Sequence, residues 1–285
     1  MEPRVGIVIL NYMNFKDTIE CVDSALNLTY RNKEIIIVDN FSPNNSFEIL
    51  KENYKNFKQI KLLRTNENLG FANGNNTGIK YFIEKKIKWI LLVNNDTVFT
   101  QTNIIETMLI SESNLKNIGA IGPKIIGSDN LEQNPIYAKT DMQRIIKDLI
   151  YNFLVLIRLN KFLKKVKRKL NANSKLEKRK KTEESYYLHG AAIMLTPIYL
   201  NKFEGLYPKT FLYYEENILD IIFGNSNMIF KFNNKAEIYH KEDQSSLASF
   251  NNNSVKKSKY ALKSITQAIF LYNKSQIQLE KIINK

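Results

Sequence analysis

The sequence predicts an α/β protein with a mainly parallel sheet flanked by helices. The chain has 285 residues, which is enough to bury a large core. Hydrophobic residues make up 44% of it and charged residues 25%, as in folded soluble proteins. Up to about residue 126, short apolar runs alternate with segments of helical spacing. This alternation is typical of parallel strands joined by right-handed crossovers.

Four apolar runs predict the strands of this sheet. They are rich in Ile and Val and apolar on both faces, which is the pattern of strands covered on both sides. The segments between them carry apolar residues every three or four positions, which predicts helices. The four runs are Val5 to Leu10, Lys33 to Asp39, Ile60 to Leu63 and Trp89 to Val93.

Polar residues follow each predicted strand. The carboxyl ends of parallel strands share one edge of a sheet, and ligands bind at that edge. Any one Asp or Asn also suits a turn, but four polar strand ends together favour a binding site. These polar positions are Asn11 and Tyr12, Asp39 and Asn40, residues 64–70, and residues 94–96.

Several classes of site and protein are excluded. The turn after the first strand, residues 11–14, contains no glycine, so it cannot be the glycine-rich turn of a dinucleotide-binding fold. The single cysteine, Cys21, excludes a disulfide scaffold and a cysteine-rich zinc module. The first ten residues lack a basic n-region and a small-residue cleavage site, and we therefore expect an unexported protein.

The net charge of +14 is concentrated in two segments. Residues 141–185 carry 14 basic and 5 acidic side chains, and residues 254–285 carry 7 and 1. The remaining 208 residues are close to neutral. A nucleic-acid-binding protein would spread basic residues over the face that follows the phosphates, so we expect no nucleic-acid partner. The two basic segments are interpreted as appendages to a neutral core.

Five motifs occur in order along the chain. They read VILNY at 8–12, IVDN at 37–40, NENLGFANGNNTG at 66–78, LVNND at 92–96 and FLYYEE at 211–216. Together they resemble family 2 glycosyltransferases, and among these the rhamnosyltransferase-like enzymes of bacterial capsule and O-antigen assembly. The resemblance implies a GT-A fold, a nucleotide-sugar donor with UDP or dTDP, a divalent cation (Mn²⁺ or Mg²⁺) and inversion at the anomeric carbon.

The resemblance also implies roles for individual residues. Asp96 matches the last aspartate of the family's D-x-D motif and is the expected metal ligand, although the first acidic position is Asn94 here. His240 matches a histidine that approaches the metal or the diphosphate. Asp39 matches the residue that hydrogen-bonds the base. The expected donor-binding residues are Asn11, Tyr12, Asp39, Asn40, Asn68, Gly70, Asn75, Asn76, Asn94 and Asn95.

The fifth motif supplies two adjacent carboxylates. An inverting transfer needs one carboxylate to take the proton of the acceptor hydroxyl group. We assign Glu216 as this base and Glu215 as its neighbour, and the reverse assignment stays open. An acidic start to a helix would also favour the helix dipole, so these residues have a structural explanation as well.

The motifs divide the chain into four parts. Residues 1–126 form the expected nucleotide-sugar-binding half, and residues 186–253 form the acceptor-side half with the catalytic motif. Between them, residues 127–185 are expected to form a basic amphipathic helical insert, and residues 254–285 a basic C-terminal helix.

The insert has apolar residues at helical spacing from Met142 to Leu170, with basic residues on the opposite face. Its apolar run is shorter than the ~20 residues that span a bilayer, and the pattern favours a helix lying on an anionic membrane surface. The alternative is a helical hairpin packed on the core or on a second copy of the chain in a homo-oligomer.

The expected function is transfer of a sugar, with rhamnose as the first candidate, to a lipid-linked bacterial surface glycan. The enzyme would be cytoplasmic and peripheral on the inner face of the cell membrane. One rival is a nucleotidyltransferase, and another is a catalytically silent scaffold that binds nucleotide or glycan.

Overall fold

The computed structural model of the chain describes residues 2–110, 116–159, 185–241 and 253–284. Its eight strands are β1 (Val5–Asn11), β2 (Lys33–Asp39), β3 (Ile60–Arg64), β4 (Trp89–Asn94), β5 (Thr97–Val98), β6 (Ile118–Gly127), β7 (Ala192–Leu195) and β8 (Ile229–His240). The helices within these ranges are α1 (Phe15–Leu26), α2 (Ser46–Tyr54), α3 (Gly70–Glu84), α4 (Ile104–Ile110), α5 (Met142–Leu156), α6 (Pro197–Leu200), α7 (Glu215–Asn225), α8 (Ser254–Tyr272) and α9 (Gln276–Ile283).

The described strands form one sheet in the order β3-β2-β1-β4-β7-β6-β8-β5. Strands β1 to β4 are parallel to one another, and β6 is parallel to β8. Strand β7 runs antiparallel between β4 and β6, and β5 runs antiparallel to β8. The prediction of a mainly parallel α/β fold is confirmed, and its four predicted strands match β1 to β4 to within one residue at each end.

The register of the parallel strands aligns their polar ends. Asn11 at the end of β1 lies opposite Asp39 at the end of β2, and Leu10 lies opposite Asn94 at the end of β4. Apolar residues precede these positions on every strand, because both faces of the sheet are covered by helices. The sheet therefore delivers its polar side chains to one edge.

Alternate residues of each strand pack on opposite faces of the sheet. Ile7 and Ile35 belong to a cluster with residues of α1 and α2, and Val8 and Ile36 belong to a cluster with residues of α3. Buried residues of α7, α8 and α9 extend the second cluster. The α3 side of the sheet is therefore the side on which the C-terminal helices pack.

The C-terminal segment differs from its expected form. In place of a single basic helix over residues 254–285, the structure has α8 and α9, and Ser275 begins α9 with a capping box to Gln278. Ile265, Ala268 and Leu271 of α8 are fully buried, and α8 packs against α5 and α7. The basic residues therefore lie on a helix that is part of the core, and the interpretation of this segment as an appendage is corrected.

Helix α5 is the described part of the basic insert. The Asp141 side chain caps its N-terminus by accepting a hydrogen bond from Arg144 N at 2.8 Å. Ile145 is fully buried, whereas Ile150 and Phe153 are each 53% exposed. The rest of the predicted apolar stripe, from residue 160 to residue 170, lies outside the described residues. None of the helices in the described ranges is long and apolar enough to cross a membrane.

Candidate active site

A cleft of about 950 Å³ lies at the polar edge of the sheet. Its walls come from the ends of β1, β4 and β8, the start of α3, and the segment that leads into α7. A cleft of this size holds an organic molecule of several rings. Of the predicted site residues, those that line it are Tyr12, Asn40, Asn68, Gly70, Asn94, Asn95, Asp96, Glu215, Glu216 and His240.

Asn11 and Asp39 lie behind the wall of the cleft. Asp39 is fully buried and accepts hydrogen bonds from Asn11 Nδ2 at 2.7 Å and from Ser42 Oγ at 2.6 Å. Arg64 Nε lies 3.4 Å from Asp39 Oδ2, so the buried carboxylate has a cationic partner. These contacts fix the loops after β1, β2 and β3 relative to one another. Base recognition by Asp39 stays a prediction.

The Asn40 side chain organises the turn that begins α3. Its Oδ1 accepts from Leu69 N at 3.0 Å, and its Nδ2 donates to Gly70 O at 3.0 Å and to Asn68 Oδ1 at 3.1 Å. Gly70 has a φ of +76°, and a Cβ there would lie 2.1 Å from Phe211 O. The neighbouring Phe71 N donates to this same carbonyl at 2.7 Å. Glycine is therefore required where the start of α3 meets the fifth motif.

The amide side chains of Asn75 and Asn76 make hydrogen bonds to the backbone of the protein. Asn75 Nδ2 donates to Phe71 O at 3.0 Å. Asn76 accepts from Leu206 N at 2.7 Å and donates to Leu206 O at 2.9 Å, so it holds α3 to the chain before the fifth motif. Neither residue lines the cleft. Donor binding by these two amides stays a prediction.

Asp96 and His240 form a close pair. Pairing of β5 with β8 sets His240 opposite Thr97, and His240 Nε2 lies 3.3 Å from Asp96 Oδ1. His240 Nδ1 lies 2.8 Å from Gln133 Oε1, which can only accept, so Nδ1 carries the proton in the neutral ring. Nε2 then presents a lone pair to the carboxylate. Two acceptor atoms at this distance require a proton or a cation between them.

Asp96 and His240 have the chemistry to supply two ligands to a divalent cation. Carboxylate oxygen and imidazole nitrogen are both suitable donors, and such ions commonly complete their shell with substrate phosphates. Asp96 and His240 are each about 95% buried, so a charge there is poorly screened. Within the part of the chain that the structure describes, no three His, Cys, Asp or Glu side chains are grouped to hold a metal by themselves.

Glu215 and Glu216 begin α7 after two strained residues. Tyr213 and Tyr214 have φ angles of 69° and 75°, and each left-handed non-glycine residue costs about 1–3 kcal/mol. Glu216 Oε1 accepts from Gly190 N at 3.1 Å, and a Cβ on Gly190 would lie 2.5 Å from this oxygen. Gly190 therefore allows the close approach of the carboxylate.

The two carboxylates have different surroundings. Burial and the adjacent charge of Glu216 raise the pKa of Glu215 to about 8. Glu215 Oε1 is buried and has no hydrogen-bond partner among the described residues. A proton on Glu215 at neutral pH removes the conflict between two adjacent negative charges.

His189 and Gly190 join the two parts of the site. The His189 ring centroid lies 5.6 Å from that of His240, and Gly190 N contacts Glu216. His189 Nδ1 accepts from Ala191 N at 3.1 Å, so Nε2 carries the proton of the neutral ring. His189 also lines the cleft.

The family model described as "Glycosyl transferase family 2" matches residues 6–193, about two thirds of the chain. The chain belongs to this family.

Curated relatives of this family 2 chain match over part of their length. Glycosyltransferase GlyG of Streptococcus pneumoniae serotype 4 is 32% identical over 108 residues, which are 38% of this chain and 35% of GlyG. An uncharacterized glycosyltransferase of Haemophilus influenzae is 29% identical over 150 residues, 47% of this chain and 45% of the relative. The matches thus span less than half of the length of these relatives.

Solved structures of low identity share the fold. The mannosyltransferase PcManGT from Pyrobaculum calidifontis, in complex with GDP-Man and Mn²⁺, has a TM-score of 0.61 and 11% identity. The match covers all of this chain and 69% of that one. S. aureus TarS 1–349 in complex with UDP has a TM-score of 0.53 and 13% identity, over 94% of this chain and 69% of TarS 1–349. The family 2 chain has the GT-A fold.

Some lining residues of the cleft lie outside the predicted set. Lys256 and Tyr260 reach it from α8, and the Tyr260 ring stacks on Phe211 with centroids 4.9 Å apart. Gln133, which contacts His240, lies between β6 and α5. The sequence signal for the α8 residues is their spacing of four, which sets them on one face of a helix. Gln133 has no such signal.

Proposed function

We propose that the protein is an inverting glycosyltransferase, which moves a sugar from a nucleotide-sugar donor to a hydroxyl group of an acceptor. The observation that carries this proposal is the single cleft shared by the Asp96–His240 pair and Glu216. Residues 1–126 would supply most of the donor side, and residues 186–253 the acceptor side with the catalytic motif. The family membership supports the same reaction class.

The donor is proposed to be a UDP- or dTDP-sugar, with rhamnose as the first sugar to test. TarS is described in complex with UDP and with UDP-GlcNAc, and PcManGT with GDP-Man, so nucleotide sugars are the ligand class of similar folds. At the end of β4, the amide side chain of Asn94 lines the cleft, where it can hold ribose or phosphate oxygens. The rhamnose choice rests on the motif resemblance.

Asp96 and His240 would hold Mn²⁺ or Mg²⁺ together with the donor diphosphate. When bound, the cation neutralises the charge that develops on the departing diphosphate. The proton on His240 Nδ1, held by Gln133, keeps Nε2 as a ligand.

Glu216 is proposed as the general base. It would take the proton from the acceptor hydroxyl group while that oxygen attacks the anomeric carbon on the face opposite the leaving diphosphate, which inverts the configuration. The hydrogen bond from Gly190 N fixes the position of the Glu216 carboxylate in the cleft. Glu215 stays protonated at neutral pH because its pKa is raised to about 8, so Glu216 is the better candidate.

The acceptor is proposed to be a lipid-linked glycan of capsule or O-antigen type at the inner, cytoplasmic face of the cell membrane. Helix α5 supports this with three apolar side chains, Ile146, Ile150 and Phe153, that are each about half exposed. Apolar side chains beside basic ones suit the headgroup boundary of an anionic membrane. Self-association through the same face is the alternative.

A donor screen tests the reaction class. Purified protein is incubated with UDP-, dTDP- and GDP-sugars and Mn²⁺, with and without a lipid-linked acceptor. A glycosyltransferase releases the nucleoside diphosphate, whereas a nucleotidyltransferase would release or consume pyrophosphate. A scaffold would bind the donor without turnover.

Three glutamate variants complete the test. Glu216→Gln should lower kcat by about two to four powers of ten with little change in donor affinity, because a base acts in the transition state. Glu204→Gln, an exposed residue outside the cleft, is the matched control. If Glu215→Gln shows the large loss and Glu216→Gln does not, the two roles are reversed.

A further inference from the structure

Helix α5 belongs to the insert between the two halves of the fold, and none of the five motifs includes it. Its apolar positions face the core at Ile145 and Val155. Its polar side nevertheless contacts the segment that presents Glu215 and Glu216 to the cleft. Two separate side-chain contacts make this connection.

The first contact lies just before the glutamate pair. Tyr214 Oη donates to Asp148 Oδ2 of α5 at 3.0 Å. Burial and the charge of Asp148 raise the pKa of Tyr214, so the phenol stays protonated and keeps its role as donor. Tyr214 has a φ of 75°, a conformation that a tyrosine adopts only when its surroundings hold it. The hydrogen bond to the Asp148 carboxylate is one contact that holds Tyr214 in this conformation.

The second contact lies just after the pair. Arg144 Nη2 of α5 donates to Tyr187 Oη at 3.0 Å, and Asn217 Nδ2 donates to the same oxygen at 3.4 Å. Asn217 directly follows Glu216 in α7 and is 7% exposed. Arg144 Nε also lies 3.6 Å from Asp148 Oδ2, which joins the two contacts into one network.

We propose that Asp148 and Arg144 are positioning residues of the active site, through which α5 fixes the residues on either side of the Glu215–Glu216 pair. They act on the geometry of Glu216 relative to Gly190 and the acceptor, and touch neither substrate nor donor. This inference rests on the proposed function of Glu216 as the base.

The positions of the contacts determine which kinetic parameter changes. The donor side of the cleft comes from β1, β4 and the start of α3, none of which contains a member of this network. Loss of the Tyr214 contact should therefore lower kcat and leave donor KM unchanged. A displacement of about 1 Å in a catalytic group can cost about 100-fold in rate.

Asp148→Ala is the first variant, and Asp148→Asn is its conservative partner. Asp148→Ala should lower kcat by about 10- to 100-fold at constant donor KM. An asparagine oxygen still accepts from the tyrosine hydroxyl group, so Asp148→Asn should recover most of the rate. Gln143→Ala, an exposed residue on the same helix, is the matched control. Equal losses in all three variants would contradict the proposal.

A double variant tests whether the two side chains act together. Tyr214→Phe removes the same hydrogen bond from the other side and should give a loss similar to that of Asp148→Ala. The double variant should then lose no more than either single variant. Losses that multiply would show that Asp148 acts by another route, and would overturn the proposal.

Hydrogen exchange gives a readout that does not need turnover. In the first turn of α7, Ile218 N donates to Tyr214 O at 3.0 Å. Mass spectrometry of peptides covering residues 211–222 should show faster exchange in Asp148→Ala than in the wild type or Gln143→Ala. If no donor is turned over but exchange changes as expected, the proposed function fails and the positioning contact stands. Unchanged exchange together with unchanged kcat overturns the positioning role, and Tyr214→Phe decides it if Asp148→Ala does not fold.

Discussion

Replacing Gly70 by alanine should disrupt the junction between the start of α3 and the fifth motif. Gly70 has a φ of +76°, and an L-residue with a Cβ costs about 1–2 kcal/mol in that conformation. The new Cβ would also lie 2.1 Å from the Phe211 carbonyl oxygen, and this neighbour is backbone, which moves only with its loop. The hydrogen bond from Phe71 N to Phe211 O at 2.7 Å would then be lost, for about 1 kcal/mol more.

Together these costs predict that Gly70→Ala lowers the free energy of unfolding by about 2–3 kcal/mol. For a chain of this size, that corresponds to a fall in Tm of about 3–5 °C. Thermal unfolding followed by circular dichroism measures Tm, and urea titration measures the free energy. The kcat should fall as well, because Phe211 lies four residues before Glu215 in the segment that leads into α7.

Gly224→Ala is the matched control for this experiment. Gly224 lies in α7, and a Cβ there would meet no atom within 4 Å. Alanine is favoured over glycine within a helix by up to about 1 kcal/mol, so the control should keep or raise Tm. If Gly70→Ala unfolds within about 1 °C of the wild type, the reasoning about the left-handed junction is refuted.

Further changes test the remaining contacts of the cleft. Asp96→Asn should weaken Mn²⁺ binding in the presence of donor at least about 10-fold by calorimetry. Gln133→Ala should weaken Mn²⁺ binding less, because Gln133 only orients His240. If Asp96→Asn binds Mn²⁺ as tightly as the wild type, Asp96 is not a metal ligand. Glu215 has a pKa of about 8 in the folded chain and an ordinary value of 4.5. Between pH 4.5 and pH 8 the folded chain therefore binds a proton at Glu215 that the unfolded chain has lost. Its contribution to the free energy of unfolding is therefore fully present below pH 4.5 and is lost as the pH rises to 8. Glu215→Gln should remove this part of the slope in urea titrations at pH 5, 7 and 8, and an unchanged slope would contradict the raised pKa.

The parallel strands could be predicted because their chemistry is local. A strand buried on both faces must be apolar throughout, so the runs that became β1 to β4 were visible in the sequence. Asp96, Glu215 and Glu216 lie in the ordered motifs, His240 matches a separate histidine of the family, and all four line one cleft. In these cases the sequence signal is contained within a few neighbouring positions.

Other parts of the site depend on packing between distant segments. Asp148 contacts Tyr214 across 66 positions, and an amphipathic helix such as α5 has the same pattern whether it faces a membrane, a partner or the core. Asn76 matches a donor-binding position of the motif, and nothing in the sequence indicates that its amide also bonds the backbone of Leu206. Residue type and spacing give no information on which of two hydrogen-bonding partners an amide meets.

The two hydrogen bonds between Asn76 and Leu206 have a consequence for the order of folding. The two residues are 130 positions apart, so this contact closes a long loop and has a large entropic cost before it forms. The β1-to-β4 half, by contrast, is assembled from neighbouring segments. During synthesis that half can collapse first, while the glutamates gain their final setting only after α8 has emerged and packed on α7. The β1-to-β4 half of a nascent chain can therefore form before Glu215 and Glu216 have the neighbours that they have in the complete fold.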